Sequence, residues 1–167
     1  MIAAAALAAL FPVRFPGRRF DVNASHPFVF CAMAACGPFA AAAADAAGVL
    51  GTALGRGRRP ALRPLLVNFG LVAISTSAAW QAWVVSGGNA APGLLPGIFS
   101  MCAAGTAYYA TNVTLLGITL SLERRRPLNA VIGGAVAPTA MPFFAGVVLA
   151  SVMLPSMARV PAIGVAL

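Results

Sequence analysis

The sequence contains no lysine, a single histidine (His26) and only three acidic residues, Asp21, Asp45 and Glu123. Each shortage excludes something. Only 8% of the residues are charged, against about a quarter in a soluble domain, so a water-facing surface cannot be assembled from this chain. One histidine rules out a histidine metal cluster, and so few acids and bases leave little for hydrolytic or group-transfer chemistry. Walker-loop, Gly-x-Ser-x-Gly and His-Glu-x-x-His patterns are missing. The chain therefore reads as non-enzymatic, with no cofactor and no metal. Its three cysteines, Cys31, Cys36 and Cys102, fall inside apolar stretches at no zinc-ribbon or redox spacing; they read as small buried hydrophobes.

What is present is apolar sequence punctuated by arginine. Hydrophobic residues make up 60% of the chain. The arginines cluster at Arg14/Arg18/Arg19, Arg56/Arg58/Arg59/Arg63 and Arg124/Arg125/Arg126, with Arg159 apart. A net charge of +8 on one face would suggest nucleic acid, but these residues sit at the ends of apolar runs. They read as topology signals beside anionic lipid headgroups, and no nucleic-acid partner is implied.

A helix spanning the hydrocarbon core takes about 20 apolar residues. Segments 64–86, 98–122 and 128–154 meet this. The run at 28–54 is interrupted by Gly37-Pro38, and proline removes a backbone donor. It reads as a short element at 27–36, half-depth or tilted and shielded by protein, and a longer one at 38–54. Residues 2–11 cover about half a bilayer. No positive residue precedes them, so they read as a retained first helix rather than a cleaved signal. With six elements, the loops at 12–25, 55–63 and 123–127 share one face, which carries ten of the eleven arginines. The loops at 37–38 and 87–97 carry none. The positive-inside rule places the arginine face in the cytoplasm. Residues 155–167 read as the start of a seventh helix.

Polar and ionisable groups within membrane segments are the default functional candidates. Asp45 leads, mid-way along its element among alanine and glycine. It reads as a cation, proton or ligand contact, or as a structural carboxyl held neutral or paired with Arg56. Asn68, Gln81, Tyr108, Tyr109 and Asn112 are the other candidates for ligand binding, with helix–helix hydrogen bonding as the alternative for each. His26 reads as an interfacial spectator, with a titrating switch as the alternative. Gly51 and Gly55 form a small-xxx-small pair of the kind chance supplies in so glycine-rich a chain. Trp80 and Trp83 fit an interfacial aromatic belt.

Several strings occur in a suggestive order: FPVRFPG at 11–17, CGPF at 36–39, LVNF at 66–69, YYATNVT at 108–114 and LSLERRRP at 120–127. This order resembles the N-terminal membrane module of bacterial signalling proteins that carry a cytoplasmic HD-GYP or diguanylate cyclase domain, over residues 10–130. The resemblance implies that Asn68 and Asn112 match asparagines of that module's fourth and fifth helices. It also implies a cytoplasmic signalling enzyme as partner, although such modules normally continue into a catalytic domain. The apolar run, Gly-Pro break and Ala/Gly helix also look like the substrate-binding subunits of energy-coupling-factor transporters, which work with other transporter subunits. That likeness implies that Ala4/Ala8 or Ala5/Ala9 would dock such a partner.

The expectation is thus one all-α transmembrane domain over residues 1–167, a polytopic bundle of about six helices in a bacterial inner membrane. Its expected role is a non-enzymatic sensory or ligand-binding module of a signalling system, with a small-molecule ligand. The alternatives are the binding subunit of an uptake transporter and a membrane scaffold without ligand.

Overall fold

A computed structural model of the chain describes residues 2–10, 13–14, 21–22, 25–55, 61–89, 94–133 and 139–159. These form seven helices: α1 (Ile2–Leu10), α2 (His26–Cys36), α3 (Pro38–Gly55), α4 (Leu62–Val85), α5 (Leu94–Arg124), α6 (Leu128–Val131) and α7 (Ala140–Arg159). Between α1 and α2 lies a two-residue antiparallel pairing of β1 (Val13–Arg14) and β2 (Asp21–Val22), with Val13 opposite Val22 and Arg14 opposite Asp21.

Contacts between helices fix their directions. Ala6 and Leu10 of α1 lie against Gly51 and Gly55 of α3 respectively, so α1 and α3 run parallel. A β-carbon on Gly51 would come within 2.6 Å of the Ala6 carbonyl oxygen. The small-xxx-small pair is therefore a close helix crossing, where the sequence suggested a chance match. Gly37 adopts φ 87°, a left-handed value open to glycine. The chain reverses there, because Tyr108 touches His26 before the break and Asp45 after it. Between α4 and α5, Arg63 meets Glu123 at 3.9 Å and Ser100 donates to the Ser86 carbonyl at 3.0 Å. That register makes an antiparallel hairpin. Gly105 packs on Val147, and Tyr109 on Phe143 and Phe144, so α5 and α7 are also antiparallel. Gly146 faces Pro27, and Cys31 reaches the Ala150 carbonyl, so α2 and α7 run parallel. Leaving aside the single-turn α6, successive helices alternate in direction. The arginine-bearing segments that follow α1, α3 and α5 consequently leave from one end of the bundle.

Two elements are cut short inside this frame. At 1.5 Å per residue, α2, with 11 residues, is about 16 Å long and α3, with 18, about 27 Å. From the shared break at Gly37, α2 therefore begins well short of the arginine end. It is buried over Pro27 and Val29–Met33, as expected of a short element shielded by protein. The second cut corrects the sequence reading. Residues 128–154 do not form one helix: α6 ends at Val131 and α7 starts at Ala140. Gly133, Gly134 and Pro138 lie between them, and the glycines cost helix stability while the proline disfavours helix in the residue before it. Gly117 of α5 packs on Leu128 and Ile132, and Tyr109 shares a hydrogen bond with Thr139 just before α7 begins. At its other end α7 continues through Pro155 to Arg159; the remainder of the expected seventh helix lies outside the described residues.

Two described helices, α3 and α4, are long and apolar enough to cross a membrane, and α2 and Ala140–Pro155 are shorter apolar helices. The long α5 falls outside this set because Tyr108, Tyr109, Asn112 and several threonines occupy its middle. The buried stripe of α4 is Leu71, Val72, Ser75, Thr76, Ala79 and Trp83, at the three-and-four spacing of one helical face.

Candidate functional site

The helices converge on Asp45. Its side chain is only 4% exposed and Tyr108 only 2%, and the Tyr108 hydroxyl donates a short hydrogen bond to Asp45 Oδ2. The pairing joins α3 to α5 across 63 residues of sequence. The alanines and the glycine flanking Asp45 carry no polar side chain, so the carboxyl turns to what neighbouring helices bring. Burying a carboxyl without a partner is costly, and Tyr108 removes part of that cost.

An aromatic wall surrounds the pair. Phe143 stacks on Tyr108 with ring centroids 5.6 Å apart and planes 19° from parallel. Phe30 of α2 meets Tyr108 and Phe143 edge-on, each at 5.8 Å. The His26 imidazole packs edge-on to Phe143 at 4.9 Å and to Tyr108 at 6.0 Å, and it lies within electrostatic reach of Asp45. Edge-to-face and offset arrangements at these distances are the favoured geometries of aromatic pairs. Beyond Phe143, Tyr109 continues the wall to Phe144 and shares a 3.3 Å hydrogen bond with Thr139 at the start of α7.

The sequence candidates separate clearly. Asp45, Tyr108 and Tyr109 come together. Asn112 is half-buried on the same helix. Asn68 and Gln81 are exposed on α4 and do not join the cluster. Asp45 pairs with Tyr108; Arg56, its alternative partner, lies outside the described residues. His26, read from sequence as a boundary residue, is part of the aromatic wall, because α2 starts part-way along α3. Phe30 and Phe143 carried no polar signal and were not singled out. Trp83 does not sit in an outer belt. It is 3% exposed, covered by Gly88, and its indole N–H donates to Asn89 Oδ1 at 2.9 Å; Trp80 is half-buried. Of the cysteines, Cys31 is buried, Cys102 half-buried and Cys36, at the tip before the break, exposed.

Most hydroxyls on the long helices bond to their own backbone one turn earlier: Thr76 to Val72, Ser77 to Ala73, Thr106 to Cys102 and Thr119 to Leu115. Ser75 differs. Its Oγ is fully buried and has no hydrogen-bond partner among the described residues. The α4/α5 register puts it level with Thr111, one turn from Tyr108. Among the described residues, no group of three or more His, Cys, Asp or Glu is placed to hold a metal ion. With one carboxyl, one phenol and one imidazole, the arrangement can bind a cation or polar ligand or exchange a proton.

No protein-family model matches the chain, and neither the curated proteins nor the solved structures yield a similar one.

Proposed function

We propose that this chain is a multi-pass protein of a bacterial inner membrane, with its arginine-rich loops in the cytoplasm, and that it works as a non-enzymatic sensory or ligand-binding module. The observation that carries the reading is the Asp45–Tyr108 pair. An acid deep in an apolar bundle persists when function requires it, and here it is joined by a phenol and faced by an imidazole from three separate helices. A ligand engaging Asp45 would shift α2, α3, α5 and α7 against one another, which is the output a sensor needs. The order of motifs resembling the membrane modules of cyclic-dinucleotide signalling proteins supports the same role, with a cytoplasmic signalling enzyme as partner.

A second reading, the binding subunit of an uptake transporter, is favoured by one specific feature. Both α2 and α7 begin part-way along their neighbours, next to the acid. Discontinuous helices whose ends meet at mid-depth are how many transporters build binding sites.

Two measurements test these readings. Thermal-shift screening of the purified protein against small inorganic and organic cations is expected to find a compound that stabilises the wild type and leaves Asp45→Asn unmoved. Equal responses of both proteins to every active compound would remove Asp45 from the site. Mild-detergent affinity purification then separates the roles. A co-purifying cyclase or phosphodiesterase supports the sensor, whereas a stoichiometric ATPase pair with a coupling membrane subunit supports the transporter.

A further inference from the structure

We infer that the arginine end of the α4/α5 hairpin is a binding site for the phosphate of anionic phospholipid headgroups. The inference rests on the membrane reading above but is independent of Asp45 and of any ligand there.

Four arginines meet at this end. Arg63 lies in the first turn of α4, and Arg124, Arg125 and Arg126 close α5. All are exposed, and the only described acid among them is Glu123, 3.9 Å from Arg63 in an exposed pair. Such a pair is weak and leaves a net excess of positive charge. The turn that presents the triplet is fastened at two points. The Arg126 N–H donates to the Ser121 carbonyl at 3.2 Å, and the Ser121 hydroxyl donates to the Arg126 carbonyl at 2.6 Å. Between them Arg125 takes φ 49°. That is the left-handed position ending a helix, which glycine fills without strain. An arginine held there, in a turn fixed on both sides, puts three consecutive guanidinium groups around one reversal of the chain. Guanidinium groups pair with phosphate oxygens in bidentate geometry.

The surroundings identify the source of the phosphate. Leu122 is 76% exposed, Leu62 69% and Leu66 58%. These bare leucines share the surface with the arginines. A water-soluble acidic partner or free phosphate has no use for them, whereas a lipid offers acyl chains to the leucines and a headgroup to the arginines. Basic residues at this boundary attract anionic lipid.

The test uses the full chain purified in mild detergent and exchanged into an equimolar mixture of phosphatidylglycerol and phosphatidylcholine, with retained lipid read by native mass spectrometry. The wild type is expected to retain phosphatidylglycerol preferentially. The preference should fall about fivefold for each arginine converted to glutamine, from the surface attraction of one basic residue. It should weaken at high salt, and Arg124→Lys should keep more of it than Arg124→Gln. If the triple glutamine variant fails to fold, Arg124→Gln alone and the salt titration of the wild type carry the same decision. Equal retention of both lipids by the wild type, or a preference that survives the substitutions, overturns the proposal. So does displacement of the lipid by millimolar inorganic phosphate, or tighter binding of polyglutamate than of phosphatidylglycerol. A protein that leaves cell membranes without detergent would instead overturn the membrane reading itself.

Discussion

The Tyr108 hydroxyl has one clear task, to serve the Asp45 carboxyl, and its removal is informative because nothing else changes shape. Tyr108→Phe should destabilise the protein by about 1–3 kcal/mol, the cost of stripping a buried polar group of its partner, read as a lower melting temperature in detergent. Combining it with Asp45→Ala should cost less than the sum of the two, since the second change removes the group the first left unsatisfied. Ser75 should behave in the opposite sense. Its buried Oγ has no partner among the described residues, so Ser75→Ala should be neutral or stabilising by about 1 kcal/mol in the same melt. A third residue tests backbone strain. Arg125→Gly relieves a left-handed conformation that costs an L-residue about 1–2 kcal/mol and should raise the melting temperature. At this scale the sequence was a partial guide. Asp45 stood out because an acid amid alanines has no bland explanation on its own helix. His26 did not stand out, because its meaning depends on how far α2 reaches, which no local pattern encodes. Phe143 was one aromatic among ten phenylalanines, and only packing tells it apart.

Among the elements, glycine decides how closely helices approach. A β-carbon on Gly105 would meet Val147 Cγ2 at 2.7 Å, so Gly105→Ala should overpack the α5/α7 contact and cost about 1–3 kcal/mol. Gly70, on the outer face of α4, has nothing within 4 Å. There the same substitution should stabilise by up to about 1 kcal/mol through helix propensity. Thermal melts of the two variants side by side provide the check, and a loss at Gly70 would mean that another surface covers it. The Gly37-Pro38 break was readable because proline and a turn-forming glycine adjoin in sequence. The interruption after Val131 was not, since the apolar composition of residues 128–154 masks two glycines and a proline whose effect is local. Likewise, Gly51 and Gly55 are indistinguishable by sequence from the chain's other small residues; what sets them apart is that Ala6 and Leu10 stand opposite.

For the whole molecule, the described helices alternate in direction, α6 aside, and the C-terminal ends of α1, α3 and α5 lie at one end; six membrane-crossing elements with that end in the cytoplasm is the proposed arrangement. The proposed orientation makes a direct prediction. With Cys31, Cys36 and Cys102 replaced by alanine, Glu123→Cys should react with an impermeant thiol reagent only from the cytoplasmic side of oriented vesicles. Asn89→Cys should react only from the opposite side. Labelling of both from one side would defeat the six-pass arrangement.

The shortness of α2 also bears on how the protein is made. A buried helix of 11 residues is too brief to be accepted by the translocation machinery as a span in its own right. In the proposed multi-pass arrangement it would enter the membrane only together with α3, as a hairpin hinged at Gly37. Nascent chains ending near Cys36 should therefore remain extractable by alkali, and resistance should appear only once α3 has emerged from the ribosome. The Asp45–Tyr108 bond must form later still, after α5 has been synthesised, so the acid spends the interval before Tyr108 arrives without the partner that holds it in the finished protein.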